Sequence, residues 1–179
     1  MGLRAIAVRE GRSVEEVAYD AMLAHDGREL LLYPLLNYGG GSYDALYEMM
    51  TDPITVQGLG DGGAHCGIVC DASMTTYLLS HWVRDRSRGP RLELEAAVAR
   101  LTRGPAELYG LRDRGVLAPG FRGDVNVIDF ERVGIERPEM VHDLPAGAGR
   151  MIQRSTGYVA TVVAGETVVE AGECTEAMP

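Results

Sequence analysis

The sequence predicts an α/β protein with a β-rich C-terminal tail, and three observations carry that reading. A continuous apolar run of strand length at residues 30–36 and a second strand-like stretch at residues 54–60 alternate with helix-patterned segments, the pattern of parallel strands buried on both faces. After Leu111 the helical periodicity stops; Gly115, Pro119, Gly120 and Gly123 break the chain and strand-like alternation follows. The chain has 179 residues, short of the roughly 250 that a complete (β/α)8 barrel occupies.

Each element has a local reason. Ser13 and Glu16 form a capping box, and Val14, Val17, Ala18 and Ala21 follow at helical spacing, which predicts a helix over residues 13–24 that ends near Gly27. Residues 37–42 hold three glycines and form a loop. Tyr43, Leu46, Tyr47 and Met50 mark one face of a short helix that Pro53 stops. The run at residues 54–60 leads straight into Asp61-Gly62-Gly63-Ala64-His65. Ser73 is placed to cap a helix whose buried stripe is Met74, Tyr77, Leu78, His81 and Trp82. Residues 84–90 read as a charged surface loop. Leu94, Ala97, Val98 and Leu101 predict another helix; Gly104 and Pro105 open a further short one, closed by Gly110. In the tail, residues 124–130 alternate as a strand. Residues 158–164 and 167–170 form a hairpin around Gly165-Glu166, where glycine at the first central position predicts a type II′ turn. Residues 131–156 between them read as irregular. There is no internal repeat and no low-complexity tract.

Composition excludes several classes. Hydrophobic residues are 46% and charged residues 24%, which is the balance of a folded globular chain rather than a disordered one. The 26 acidic and 17 basic residues leave a net charge of −9, a field that repels a phosphate backbone and an anionic membrane surface. The longest apolar run, residues 30–36, is far below the ~18 residues that signal a membrane span. The N-terminus lacks a secretory pattern, and three cysteines make no disulfide framework, so a cytoplasmic location is expected.

The segment Gly60-Asp61-Gly62-Gly63-Ala64-His65 is where chemistry concentrates. A carboxylate there ends a buried strand, the edge at which α/β architectures build sites, and the glycines allow close approach of a ligand to the backbone. Such a carboxylate suits cation binding or proton transfer; the competing reading is a turn aspartate that caps the next segment. His65 is a ligand, a substrate contact or a structural residue on these features alone. His81 on its apolar stripe reads as a satisfied packing histidine. His25 and His142 carry no signal. Asp61, His65, Cys66 and Cys70 can be drawn as a zinc cluster, but a lone Cys-x3-Cys without a second ligand pair favours small buried side chains. Residues 39–42 lack the Lys-Ser/Thr partner of a phosphate loop, and the mixed charges of residues 84–91 read as a solvated face.

Residues 60–65 also resemble the eighth-strand motif of the metal-dependent amidohydrolase superfamily, in its N-acyl-D-amino-acid deacylase (D-aminoacylase-like) branch. Residues 94–102 and 104–111 resemble the helix pair after that strand. Residues 114–120 with 123–129 resemble the lead into the family's small β-domain, and residues 162–172 its closing hairpin. The resemblance implies a partial (β/α)8 barrel over residues 1–111, comprising its last strand–helix units. Residues 112–179 are then the C-terminal strands of a small β-sandwich domain. It implies one or two zinc ions, with Asp61 beside the metal as general base and then general acid in hydrolysis of an amide C–N bond, in N-acyl-D-amino acids. Gly62, Gly63 and His65 are then substrate contacts at the pocket rim.

The family's first-strand His-x-His and middle-strand ligands have no counterpart among the four histidines. The chain alone is therefore expected to be inactive and to bind zinc poorly. Its open barrel edge calls for self-association or for an N-terminal portion that completes it. The alternative is a non-catalytic structural or interaction module that keeps the scaffold alone.

Overall fold

The computed structural model describes residues 2–34, 36–38, 40–58, 60 and 65–179. They divide into two compact units, Met1–Gly39 and Gly40–Pro179.

In the first unit, α1 (Leu3–Glu10) closes on Gly11, whose φ of 66° supplies the left-handed cap. The helix α2 (Val14–Gly27) begins with the expected capping box: the Glu16 amide donates to Ser13 Oγ at 3.1 Å and the Ser13 amide to Glu16 Oε2 at 3.0 Å. The Ser13 amide, then the Ser13 hydroxyl, holds the Glu16 carboxyl below its ordinary pKa. Helical backbone is lost at Ala24, His25 and Asp26, close to the end the sequence predicts. Ala7 and Val17 are the buried apolar residues. The helix α1 was not anticipated, because its N-cap is Gly2 with no side-chain bond and its buried stripe is a single alanine.

The second unit contains α3 (Asp44–Thr51), α4 (Met74–Tyr77), a π-helical continuation (Leu78–Asp85), α5 (Leu94–Leu101) and α6 (Arg103–Leu108). The tail carries eight strands: β1 (Val125–Ile128), β2 (Gly134–Ile135), β3 (Glu139–Val141), β4 (Arg150–Ile152), β5 (Ser155–Thr156), β6 (Tyr158–Val163), β7 (Glu166–Glu170) and β8 (Glu173–Cys174). β1, β6, β7 and β8 form one antiparallel sheet in that order; β2 pairs with β5, and β3 with β4. The core joins helices to tail: Leu78, Leu79, Trp82, Leu92, Ala97 and Val133 are buried together. Tyr43, Leu46, Tyr47 and Met50, the face read from the sequence, pack against them.

Several sequence expectations are corrected. The runs at residues 30–36 and 54–60 are not buried strands: none of their described residues pairs in a sheet, and Leu32 is 93% exposed and Ile54 90%. A parallel strand is buried by ladder partners and covering helices, and all strand pairing among the described residues is antiparallel and lies in the tail. Residues 131–156 are not irregular but hold four short paired strands, each too brief to show alternation. The hairpin turn is Ala164-Gly165, with φ of 51° and 88°; two left-handed residues make it type I′, one position earlier than the type II′ expected. The stripe on the fourth helix widens to Leu78, Leu79, Ser80 and Trp82, because π winding, with the Arg86 amide donating to the His81 carbonyl at 2.8 Å, shifts successive side chains.

The loop at residues 84–90 is not wholly solvated. Arg86 is 3% exposed, with its guanidinium carbon 4.3 Å from the Trp82 ring centroid and its Nη2 donating to Asp44 Oδ1 at 2.9 Å. His81 packs as expected, stacked on Tyr77 at 4.7 Å, but its Nε2 is buried without a hydrogen-bond partner among the described residues, so it is not satisfied.

Burial, then the Arg86 charge, lowers the His81 pKa below its ordinary value. The folded chain therefore takes up a proton at His81 at lower pH than the unfolded chain, which does so near pH ~6.5. Stability is fully present above that pH and falls as the pH drops through it. Urea midpoints read by fluorescence of Trp82, the sole tryptophan, should decline between pH ~7.5 and ~5.5. His81→Phe should flatten that decline; an equal decline in the variant would remove His81 as its cause. At Gly157, φ is 83° and a Cβ would lie 2.5 Å from the Val133 backbone, so Gly157→Ala should cost about 3 kcal/mol in the same assay. At Gly165 a Cβ would meet open space, so Gly165→Ala should cost about 1 kcal/mol.

Candidate functional site

Of the residues that the sequence singles out, His65, Cys66 and Cys70 are described. Asp61, Gly62 and Gly63 lie outside the described residues. Their two flanks are described. Before them, Gly60 is packed so closely that a Cβ would lie 2.7 Å from the Asp71 carbonyl oxygen and 3.0 Å from Met74 Sδ. After them, His65 adopts φ 48° and is exposed; its carbonyl accepts from the Ile68 and Val69 amides at 2.8 and 3.0 Å, which turns the chain.

The turn presents Cys66, Val69, Cys70 and Ala72 to one side of an open cleft of about 520 Å³. Its other side comes from the tail: Asp143 and Leu144, then residues 150–153. The cleft exists because the tail is bonded to the turn, with the Met151 amide donating to the Cys66 carbonyl at 2.6 Å. Arg150 grips Asp143 with two bonds of 2.7 Å. The Arg150 guanidinium holds the Asp143 carboxyl below its ordinary pKa, and Asp143 raises that of Arg150 in return. Both are partly solvated, so the pair orders the cleft wall more than it stabilises the fold.

Asp61, one of the four residues of the compact zinc cluster drawn from the sequence, lies outside the described residues. Among the described residues no three or more His, Cys, Asp or Glu side chains are grouped to hold a metal ion. Burial, then the Asp71 charge, raises the Cys70 pKa and keeps it a thiol, the poorer metal ligand and nucleophile. The cysteines are half-buried cleft-lining residues, near the packing role expected of them. Ser73, placed from the sequence as a cap, makes no cap bond; its hydroxyl donates to Gln153 Oε1 instead. Gln153, Met151 and Arg150 were missed, since no local pattern links them to a loop some 80 positions earlier.

A family model described as "Amidohydrolase family" matches residues 16–169, most of the chain. The chain belongs to that family of enzymes, and the likeness to its D-aminoacylase-like members read from residues 60–65 and the stretches after them is borne out. A 58-residue stretch is 47% identical to N-acyl-D-glutamate deacylase of Alcaligenes xylosoxydans xylosoxydans, covering 32% of this chain and 11% of that one. A solved D-aminoacylase variant in complex with copper chloride aligns over 57% of this chain and 19% of its own, at 27% identity and a TM-score of 0.42. The matched regions thus span about a tenth and a fifth of those two relatives.

At neutral pH, a thiol-reactive disulfide reagent should modify exposed Cys174 before half-buried Cys70, whose thiol is held protonated. Mass mapping of labelled peptides checks the order, and Cys70 labelling first would contradict the geometry.

Proposed function

We propose that this chain is the C-terminal part of an amidohydrolase that cleaves the amide C–N bond of N-acyl-D-amino acids. Residues 1–111 are then barrel and residues 112–179 small β-domain. Asp61 takes a proton from the attacking water and passes it to the leaving nitrogen. Gly62, Gly63 and His65 border the substrate. The observation that carries the reading is the family match over residues 16–169 together with the Asp61 motif inside it. The deacylase likeness supports the substrate class.

A resident zinc would need ligands beyond the described residues, which group no metal-binding set. The described residues supply the flanks of the Asp61 motif. The exposed apolar residues Leu32, Tyr33, Leu36, Ile54 and Val56 support a covering partner, either an N-terminal portion of the same protein or a second copy.

In the protein that contains this chain, Asp61→Asn should abolish turnover of an N-acyl-D-amino acid while the circular dichroism stays unchanged. Retained turnover would refute the role. The 179-residue chain alone should neither hydrolyse that substrate nor retain zinc through gel filtration, and should elute larger than a monomer. Hydrolysis by the isolated chain would overturn the reading of it as a part.

A further inference from the structure

Two thiols and one guanidinium meet in the cleft between the turn and the tail. Cys66 and Cys70 line its turn side, and Asp143 and Arg150 line the other. The cysteines share a wall because the chain between them folds back: the His65 carbonyl accepts from the Ile68 and Val69 amides. A helical turn closed by such a bond sets positions four apart about 5–6 Å apart at Cβ. A disulfide needs about 3.5–4.5 Å, so a small tightening of the turn joins the two. Gly67 and Ile68 between them are exposed, and even a Cβ at Gly67 would meet open space, so nothing opposes that movement.

The two thiols are not equivalent. Burial, then the Asp71 charge, keeps Cys70 protonated. Cys66 has a cation beside it. Asp143 first, and after it a Cys66 thiolate, raises the Arg150 pKa, which places Arg150 within electrostatic reach of Cys66. Arg150 gives Nε and Nη2 to Asp143, while Nη1 makes no bond among the described residues and the side chain is 41% exposed. An anion that enters the cleft can therefore meet Arg150 without displacing Asp143.

We propose that Cys66 and Cys70 form a dithiol modification site for a small anionic disulfide, with Cys66 as the attacking thiol and Cys70 as the thiol that resolves the adduct. The Cys66 thiolate attacks one sulfur of the disulfide, whose S–S bond breaks, and one half leaves as a thiolate. Cys70 then loses its proton to solvent and attacks Cys66 Sγ, which expels the second half. Two protein thiols are oxidised to one disulfide, and the small disulfide is reduced to two thiols. The protonated state of Cys70 slows its attack, but the short tether compensates by raising its effective concentration. No step uses Asp61.

Glutathione disulfide is the probe, added to the protein that contains this chain and followed by peptide mapping. A Cys66–Cys70 cross-link should form. Cys70→Ser should trap glutathione on Cys66, and Cys66→Ser should leave Cys70 unmodified over the same time. A lasting glutathione adduct on Cys66 in the native protein, no reaction at Cys66, or equally fast modification of Cys70 in Cys66→Ser would overturn the proposal. The anionic class is tested against uncharged hydroxyethyl disulfide. The rate preference for glutathione disulfide should fall about threefold in Arg150→Gln and rise in Asp143→Asn, which leaves the cation unpaired. An unchanged preference in both variants would overturn that class. Should Arg150→Gln fail to fold, Asp143→Asn alone decides it.

Discussion

The Arg86 guanidinium is a permanent cation held at 3% exposure, and much of the second unit is arranged around making that burial tolerable. It lies over the Trp82 ring at 4.3 Å and near Tyr47 at 5.7 Å, so aromatic faces replace part of its hydration. Asp44, at the start of α3, and the Arg88 carbonyl take two of its donors. Those partners fix the loop after the π-helix against α3. The chain then returns through Leu92, whose amide donates to the Trp82 carbonyl at 2.9 Å. Arginine is required here, because a lysine has neither the plane to stack nor the fork to reach two acceptors. The tail joins the same centre: Arg84 donates to the Phe130 and Glu131 carbonyls, and Val133 is fully buried in the core with Trp82.

The sequence was most legible where the cause of structure is local. The capping box at Ser13 and Glu16 is made as written, and the apolar face of α3 follows its 3.6-residue period, whereas on α5 Ala97 and Leu101 join the core and Leu94 and Val98 stay exposed. The β6–β7 hairpin also lies where alternation puts it, though its turn moved by one residue to Ala164-Gly165. Legibility failed where the cause is distant. Residues 30–34 and 54–58 have the composition of buried strands, but burial is conferred by neighbours rather than by composition. Arg86 reads as a surface charge in its own loop, and only the aromatic rings of Tyr47 and Trp82 make it interior. The four short strands between residues 131 and 156 have two or three residues each, too few for a period to emerge.

The candidate site divides in the same way. The Asp61 motif is a contiguous string, and its family character is readable from residue types and order alone. Its support is not contiguous. Ser73 looks like a helix cap, and nothing near Gln153 marks it as more than a polar residue after a strand. Their pairing is a property of the folded tail against the turn. The raised thiol pKa of Cys70 belongs to this class too, since burial beside Asp71 creates it.

The separation between Ser73 and Gln153 orders events during synthesis. A ribosome delivers the chain from its N-terminus, so the turn emerges and can be sampled by water, chaperones and stray ligands long before its tether exists. The loop closed by that bond spans 80 positions and is entropically costly to form early. Formation of that bond is thus deferred until β4 and Gln153 are made. A nascent chain that ends before residue 151 would carry the turn without the bonds that Met151 and Gln153 make to it.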